Sequence, residues 1–84
     1  MKKRKLLEKV LSGSKNIQFD EMVALIEAFG FSRARINGSH HIFKHSDLPA
    51  LVNIQNRKGK VTPYQVRQFL SLVEEHNLTL EEEA

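Results

Sequence analysis

The residues with the clearest chemical potential are Ile36-Asn37-Gly38-Ser39-His40-His41-Ile42-Phe43-Lys44-His45. Histidine titrates nearest neutral pH and is the side chain best suited to passing a proton in catalysis. His40 and His41 stand among Arg33, Arg35, Lys44 and His45. A histidine surrounded by cations suggests an anionic substrate. Metal binding is the competing use. Neighbouring strand residues point to opposite faces, so His40 and His41 cannot easily share one ion. His41 and His45 could share a face but would lie about 13 Å apart along a strand, too far for one metal. We therefore expect no metal and no other cofactor.

The elements that must position these histidines are two short strands. Asn37-Gly38 is a strong two-residue turn signal, because both residues tolerate the positive φ of hairpin turns. Phe31 to Ile36 and Ser39 to Lys44 read as the strands on either side. Gly38 and Ser39 then position His40, the glycine by its conformation. Arg33 and Arg35 share a parity and should share a face if the strand is regular. Phe43, the largest apolar residue of its strand, should point inward. That choice puts His40 and Lys44 on the open face and His41 nearer the core, unless a bulge beside the glycine reverses it.

Helices flank the hairpin. Phe19, Met22, Val23 and Ile26 recur at helical spacing, which predicts a helix over Asp20 to Phe29, and Gly30 suits its left-handed C′ position. Leu51 to Gln55 reads as a third strand. Asn56-Arg57-Lys58-Gly59-Lys60 is a basic loop whose glycine would let the backbone approach a ligand closely. Thr62 as N-cap, Pro63 at N1 and Gln65 at N3 predict a capping box opening a final helix. That helix buries Val66, Phe69, Leu70 and Val73 and stops near Asn77. Lys2 to Leu11 has a further helical stripe in Leu6, Leu7, Val10 and Leu11, behind a basic first turn. The expected organisation is an N-terminal helical arm over residues 1–14, a domain over 15–78 and an acidic flexible tail over 79–84.

The fold class implied is α+β, an α-β-β-β-α unit with a three-stranded antiparallel sheet and an extra short N-terminal helix. Two helices on one sheet face would bury both apolar stripes. That is the architecture of double-stranded-RNA-binding domains, which leave one sheet face and several loops available.

Length and composition narrow the function. Eighty-four residues make one small domain. With no cysteine there is no disulfide framework and no thiolate nucleophile or metal ligand. No apolar run approaches a membrane span, and none follows the basic start as in a signal peptide. A soluble cytoplasmic protein without membrane contact is the expectation. The formal charge is +3 and the pI about 9.5; without Glu81, Glu82 and Glu83 the charge would be +6. A basic balance favours nucleic acid or an acidic protein as partner.

The sequence resembles the HicA toxin family of bacterial toxin–antitoxin systems. The resemblance rests on Gly38-Ser39-His40-His41-Ile42-Phe43-Lys44-His45 and the Val52-Asn53-Ile54-Gln55 strand. It extends through Gly59-Lys60 and Pro63-Tyr64-Gln65-Val66-Arg67-Gln68-Phe69-Leu70, covering most of Phe19 to Asn77. The arm before Lys15 is an addition to the minimal pattern, and Ser46 stands where many members have proline. The resemblance implies a ribonuclease that cleaves messenger RNA, with a double-stranded-RNA-binding-like fold, and a cognate HicB-type antitoxin covering the active face. The family's functional histidine maps onto His40, with His41 the possible alternative. Lys44, Lys58, Lys60, Arg33 and Arg35 are the candidate RNA-binding cations. Read from the residues alone, two other classes stand beside the enzyme. One is a non-catalytic RNA-binding module using the same basic hairpin and loop; the other is a domain that receives an acidic protein.

Overall fold

The structure is a computed structural model and describes residues 2–13, 16–49 and 51–80. The elements run α1 (Lys2–Leu11), α2 (Phe19–Ala28), β1 (Ser32–Asn37), β2 (His40–Lys44), β3 (Val52–Gln55) and α3 (Pro63–Glu75). The strands form one antiparallel sheet in the order β1-β2-β3. This is the α+β arrangement expected from the sequence, with α1 preceding the α-β-β-β-α unit.

One hydrophobic cluster joins the helices to the inner face of the sheet. Met22, Leu25 and Ile26 of α2, Phe43 of β2, Val52 and Ile54 of β3, and Val66 and Phe69 of α3 are all buried in it. Phe69 meets Phe29 and Phe31 edge-on, each at a centroid distance of 5.7 Å. Phe43 is 0% exposed, so the inward choice made from its size holds.

Helix α2 starts one residue earlier than the apolar spacing suggested. The Glu21 carboxylate accepts from the Gln18 backbone N–H at 3.0 Å, which satisfies a donor left over at the helix start. Lys9 of α1 reaches the same carboxylate at 2.9 Å. The Gln18 amide first, and Lys9 second, hold the Glu21 carboxyl below its ordinary value. Val10 is buried against the core, and Leu6 and Leu7 pack partly against it, so α1 lies along α2. At the other end Gly30 takes φ +95°, the left-handed C′ conformation its residue type suggested.

Helix α3 opens on Thr62, whose Oγ1 accepts from Gln65 N at 3.5 Å, with Pro63 following. The expected reciprocal bond from Gln65 does not form. Its side chain turns to β3 instead, where Oε1 accepts from Gln55 N at 3.0 Å and Nε2 donates to Asn53 O at 3.5 Å. A strand edge with unpaired backbone groups is the stronger demand on that amide. Leu78 N bonds back to Val73 O, and Leu78 and Leu80 pack partly against the core. Of the tail expected over 79–84, residues 81–84 lie outside the described ones. Among the described residues no helix is long and apolar enough to cross a membrane.

Candidate active site

The hairpin turn is one residue later than Asn37-Gly38. Asn37 pairs with His40, which leaves Gly38 and Ser39 as the two loop residues. Gly38 has φ +63°, and neither Asn37 nor Ser39 has a positive φ. A positive φ at the first loop residue alone marks a type II′ turn, which calls for glycine there. An added Cβ at Gly38 would meet no atom within 4 Å, so the requirement is conformational and not steric.

From this turn β2 alternates strictly. His41 pairs with Ile54 and faces the helices, where its ring stands edge-on to Phe19 at 4.6 Å. Its Nδ1 is buried without a hydrogen-bond partner. Burial, and to a smaller extent the charge of Arg33, lowers its pKa from the ordinary 6.5. His45 is likewise occupied: its ring lies 5.0 Å from that of Phe31, and its Nδ1 accepts from Asp47 N at 3.1 Å. His40 is exposed on the opposite face.

On that open face His40 has a partner the sequence reading did not single out. Its Nδ1 lies 3.2 Å from Oδ1 of Asn53. Asn53 sits opposite Ile42, one step diagonally from His40. Beside it, Gln55 Nε2 donates to Ser39 Oγ at 3.3 Å, and Asn56 N donates to Ser39 O at 2.8 Å. The turn that carries His40 is thereby tied to the end of β3. An open groove lined by Leu51, Asn53, Gln65 and Gln68 runs beside these residues. The signal for Asn53 and Gln55 was present: they alternate with buried Val52 and Ile54, so they share the face that β2 gives to His40.

The two arginines do not share a face. The register of β1 slips between Arg33 and Arg35, a bulge that adds one residue to the strand and reverses its parity. Arg35 pairs with Ile42 and lies on the open face, diagonal to His40. Arg33 pairs with Phe43, and its guanidinium sits 5.6 Å from the Phe43 ring centre. Lys44 is exposed on the open face, four residues from His40 and so about 13 Å along the strand.

The basic loop is a tight turn with Lys58 at φ +53° and Gly59 at φ +83°. Arg57 and Lys60 exchange both backbone bonds across it, at 2.9 and 3.0 Å. Gly59 was expected to open the backbone to a ligand. Its N–H instead donates to Asn56 Oδ1 at 2.7 Å, and its carbonyl accepts from Phe19 N at 2.8 Å. The glycine serves the turn, and the exposed Lys58 and Lys60 are what the loop offers a ligand. Since Asn56 bonds to Ser39, the loop leaves the sheet at the end where His40 stands.

Among the described residues no three His, Asp or Glu side chains gather closely enough to hold a metal ion. What the face presents is one accessible imidazole, amides on either side, and cations on β1, β2 and the loop. No curated protein and no solved structure matches the chain. The sequence profile described as the HicA toxin of bacterial toxin-antitoxin matches residues 19–74, from the first residue of α2 almost to the end of α3, with α1 outside it. That span is more than half of the chain and includes every strand and the whole histidine face, and the chain belongs to the HicA toxin family.

Proposed function

We propose that this HicA-family toxin is a metal-independent endoribonuclease that cleaves messenger RNA in the cytoplasm with His40 as its proton-transfer group. The observation that carries the reading is the division of labour on β2. His41 and His45 are packed against Phe19 and Phe31, while His40 stands exposed on the cation-bearing face.

RNA supplies its own nucleophile. His40 takes the proton of a 2′-hydroxyl, and that oxygen attacks the adjacent phosphorus. The 5′-oxygen leaves and takes a proton from water, giving a 2′,3′-cyclic phosphate and a free 5′-hydroxyl. Proton transfer by one positioned histidine contributes roughly 10²–10⁴-fold. Arg35, diagonal to His40, and Lys58 and Lys60 of the loop stabilise charge gathering on the phosphate. Lys44, further along β2, holds a neighbouring phosphate. Arg33, over the Phe43 ring, serves packing on the other face.

A toxin with its reactive group on an open sheet face is silenced by covering that face. The partner we assign is a HicB-type antitoxin presenting acidic groups to Arg35, Lys44, Lys58 and Lys60.

The test is cleavage of a purified messenger RNA by the parent and by His40→Ala, each with and without chelator. Cleavage by the parent in chelator, absent from a folded His40→Ala protein, is the expected result. Loss of parent cleavage in chelator would overturn the metal-free reading. Binding of RNA by both proteins with cleavage by neither would leave an RNA-binding module.

A further inference from the structure

The side chain closest to the chemistry, apart from His40 itself, is one the nuclease reading leaves unused. Asn53 Oδ1 lies 3.2 Å from His40 Nδ1. A carbonyl oxygen can only accept, so Nδ1 must carry the proton of that contact. A neutral imidazole has one N–H. With it on Nδ1, Nε2 is left with a bare lone pair.

We propose that Asn53 is a positioning residue that fixes the tautomer of His40, holding the proton on Nδ1 so that Nε2 faces the substrate as a base. The inference rests on the reading of His40 as the proton-transfer group and adds to it which nitrogen acts and what selects it.

Selection is needed because a free histidine side chain prefers its proton on Nε2. An unassisted His40 would hold its proton on the nitrogen that has to accept one. Asn53 reverses that preference from a fixed position. Its backbone carbonyl accepts from Gln65 Nε2, and the same Gln65 amide accepts from Gln55 N two residues on. Gln65 is in turn placed by the Thr62 cap and Pro63 at the start of α3. The bond that Gln65 withholds from its own helix cap thus anchors the strand that carries Asn53.

An amide also suits the substrate better than a carboxylate would. A carboxylate at this position would orient Nδ1–H equally well but would place a negative charge beside a phosphodiester. Asparagine fills the same orienting role next to the histidine of some cysteine proteases. When Nε2 takes the 2′-hydroxyl proton, the O–H bond breaks and the Nε2–H bond forms. Nδ1 keeps its own proton and its bond to Asn53, so neither partner has to move.

The experiment is long-range ¹H–¹⁵N correlation of the imidazole rings in the ¹⁵N-labelled full chain, at a pH where His40 is neutral. The expected parent spectrum shows Nδ1–H at His40. Asn53→Ala should shift the ring toward Nε2–H, and Asn53→Asp should restore Nδ1–H. A parent ring with Nε2–H, or a tautomer unchanged by Asn53→Ala, overturns the proposal; the first result would mean that the amide donates to the ring.

Cleavage is then measured on the same proteins. Asn53→Ala should lower kcat about tenfold to a hundredfold, below the full contribution of a catalytic histidine, and change KM by less than about twofold. Asn53→Asp should cleave with the acid limb of its pH profile moved to higher pH, because the carboxylate favours the imidazolium. A His40→Ala protein that still cleaves would remove the nuclease role from His40, whereas the tautomer measurement would still decide whether Asn53 orients the ring.

Discussion

His41 stands edge-on to Phe19 at 4.6 Å, one residue after a histidine that reaches Asn53 on the far side of the sheet. On the nuclease reading the two adjacent histidines therefore separate stability from activity. His41→Ala removes a half-buried ring from the core margin and should cost about 1–2 kcal/mol, less than truncation of a fully buried aromatic. His40→Ala, at an exposed position, should stay within about 0.5 kcal/mol. Urea midpoints of the two variants measure the contrast; equal losses would contradict the placement of the rings.

The same packing makes stability depend on pH in a defined direction. The pKa of His41 is lowered in the folded state by burial and by Arg33. The unfolded chain then binds the extra proton more readily, so the contribution is complete above the ordinary value of 6.5 and is lost as pH falls from there toward the folded value. Melting temperatures of the parent should decline through this window. Replacing the ring in His41→Phe should flatten that part of the curve, and a parallel decline in both proteins would exclude His41 as its origin.

Gly38 is required for its φ of +63° and not for space, since a Cβ would meet no neighbour. Gly38→Ala should cost about 1 kcal/mol. Gly38→Val adds a β-branched side chain to the same strain, and on the nuclease reading it should also reduce cleavage by displacing His40. Thermal melts together with cleavage rates test both parts. Full activity in Gly38→Val would show that the turn does not set the position of the histidine.

The bulge in β1 predicts unequal arginines. Arg35 shares the open face with His40, whereas Arg33 lies over Phe43. On the RNA-binding reading, Arg35→Ala should weaken binding across sequences and reduce the salt dependence by about one phosphate contact. Arg33→Ala should leave that slope unchanged and lower stability by about 0.5–1 kcal/mol through the lost contact with the Phe43 ring. Titrations of RNA at several salt concentrations distinguish the two, and identical slopes for both variants would contradict this assignment.

What could be read from the sequence was whatever depends on near neighbours. Helical spacing located α2 and α3, Gly30 marked the end of α2, and the size of Phe43 oriented β2 with His40 outward. Features set by partners far along the chain were harder to see. Gln65 satisfies a local capping rule, but the open edge of β3 claims its amide. The bulge between Arg33 and Arg35 has no glycine to announce it, so a parity argument placed both on one face. Asn53 shows the correct alternation on β3, yet its distance from His40 depends on the β2–β3 register, which local spacing does not determine. Glu21 belongs with these: its bond to Lys9 exists only once α1 lies along α2.

The bond from Phe19 N to Gly59 O also has a kinetic side. It joins the start of α2 to a turn that is made only after all three strands, so it closes a long loop and adds to the non-local contacts that slow folding. The ring of Phe19 is at the same time the support for His41, and so for the inner face of the hairpin. A growing chain can form α2 and the hairpin from local residues, but the bond that ties the start of α2 to the loop forms only once the Lys58–Gly59 turn has emerged.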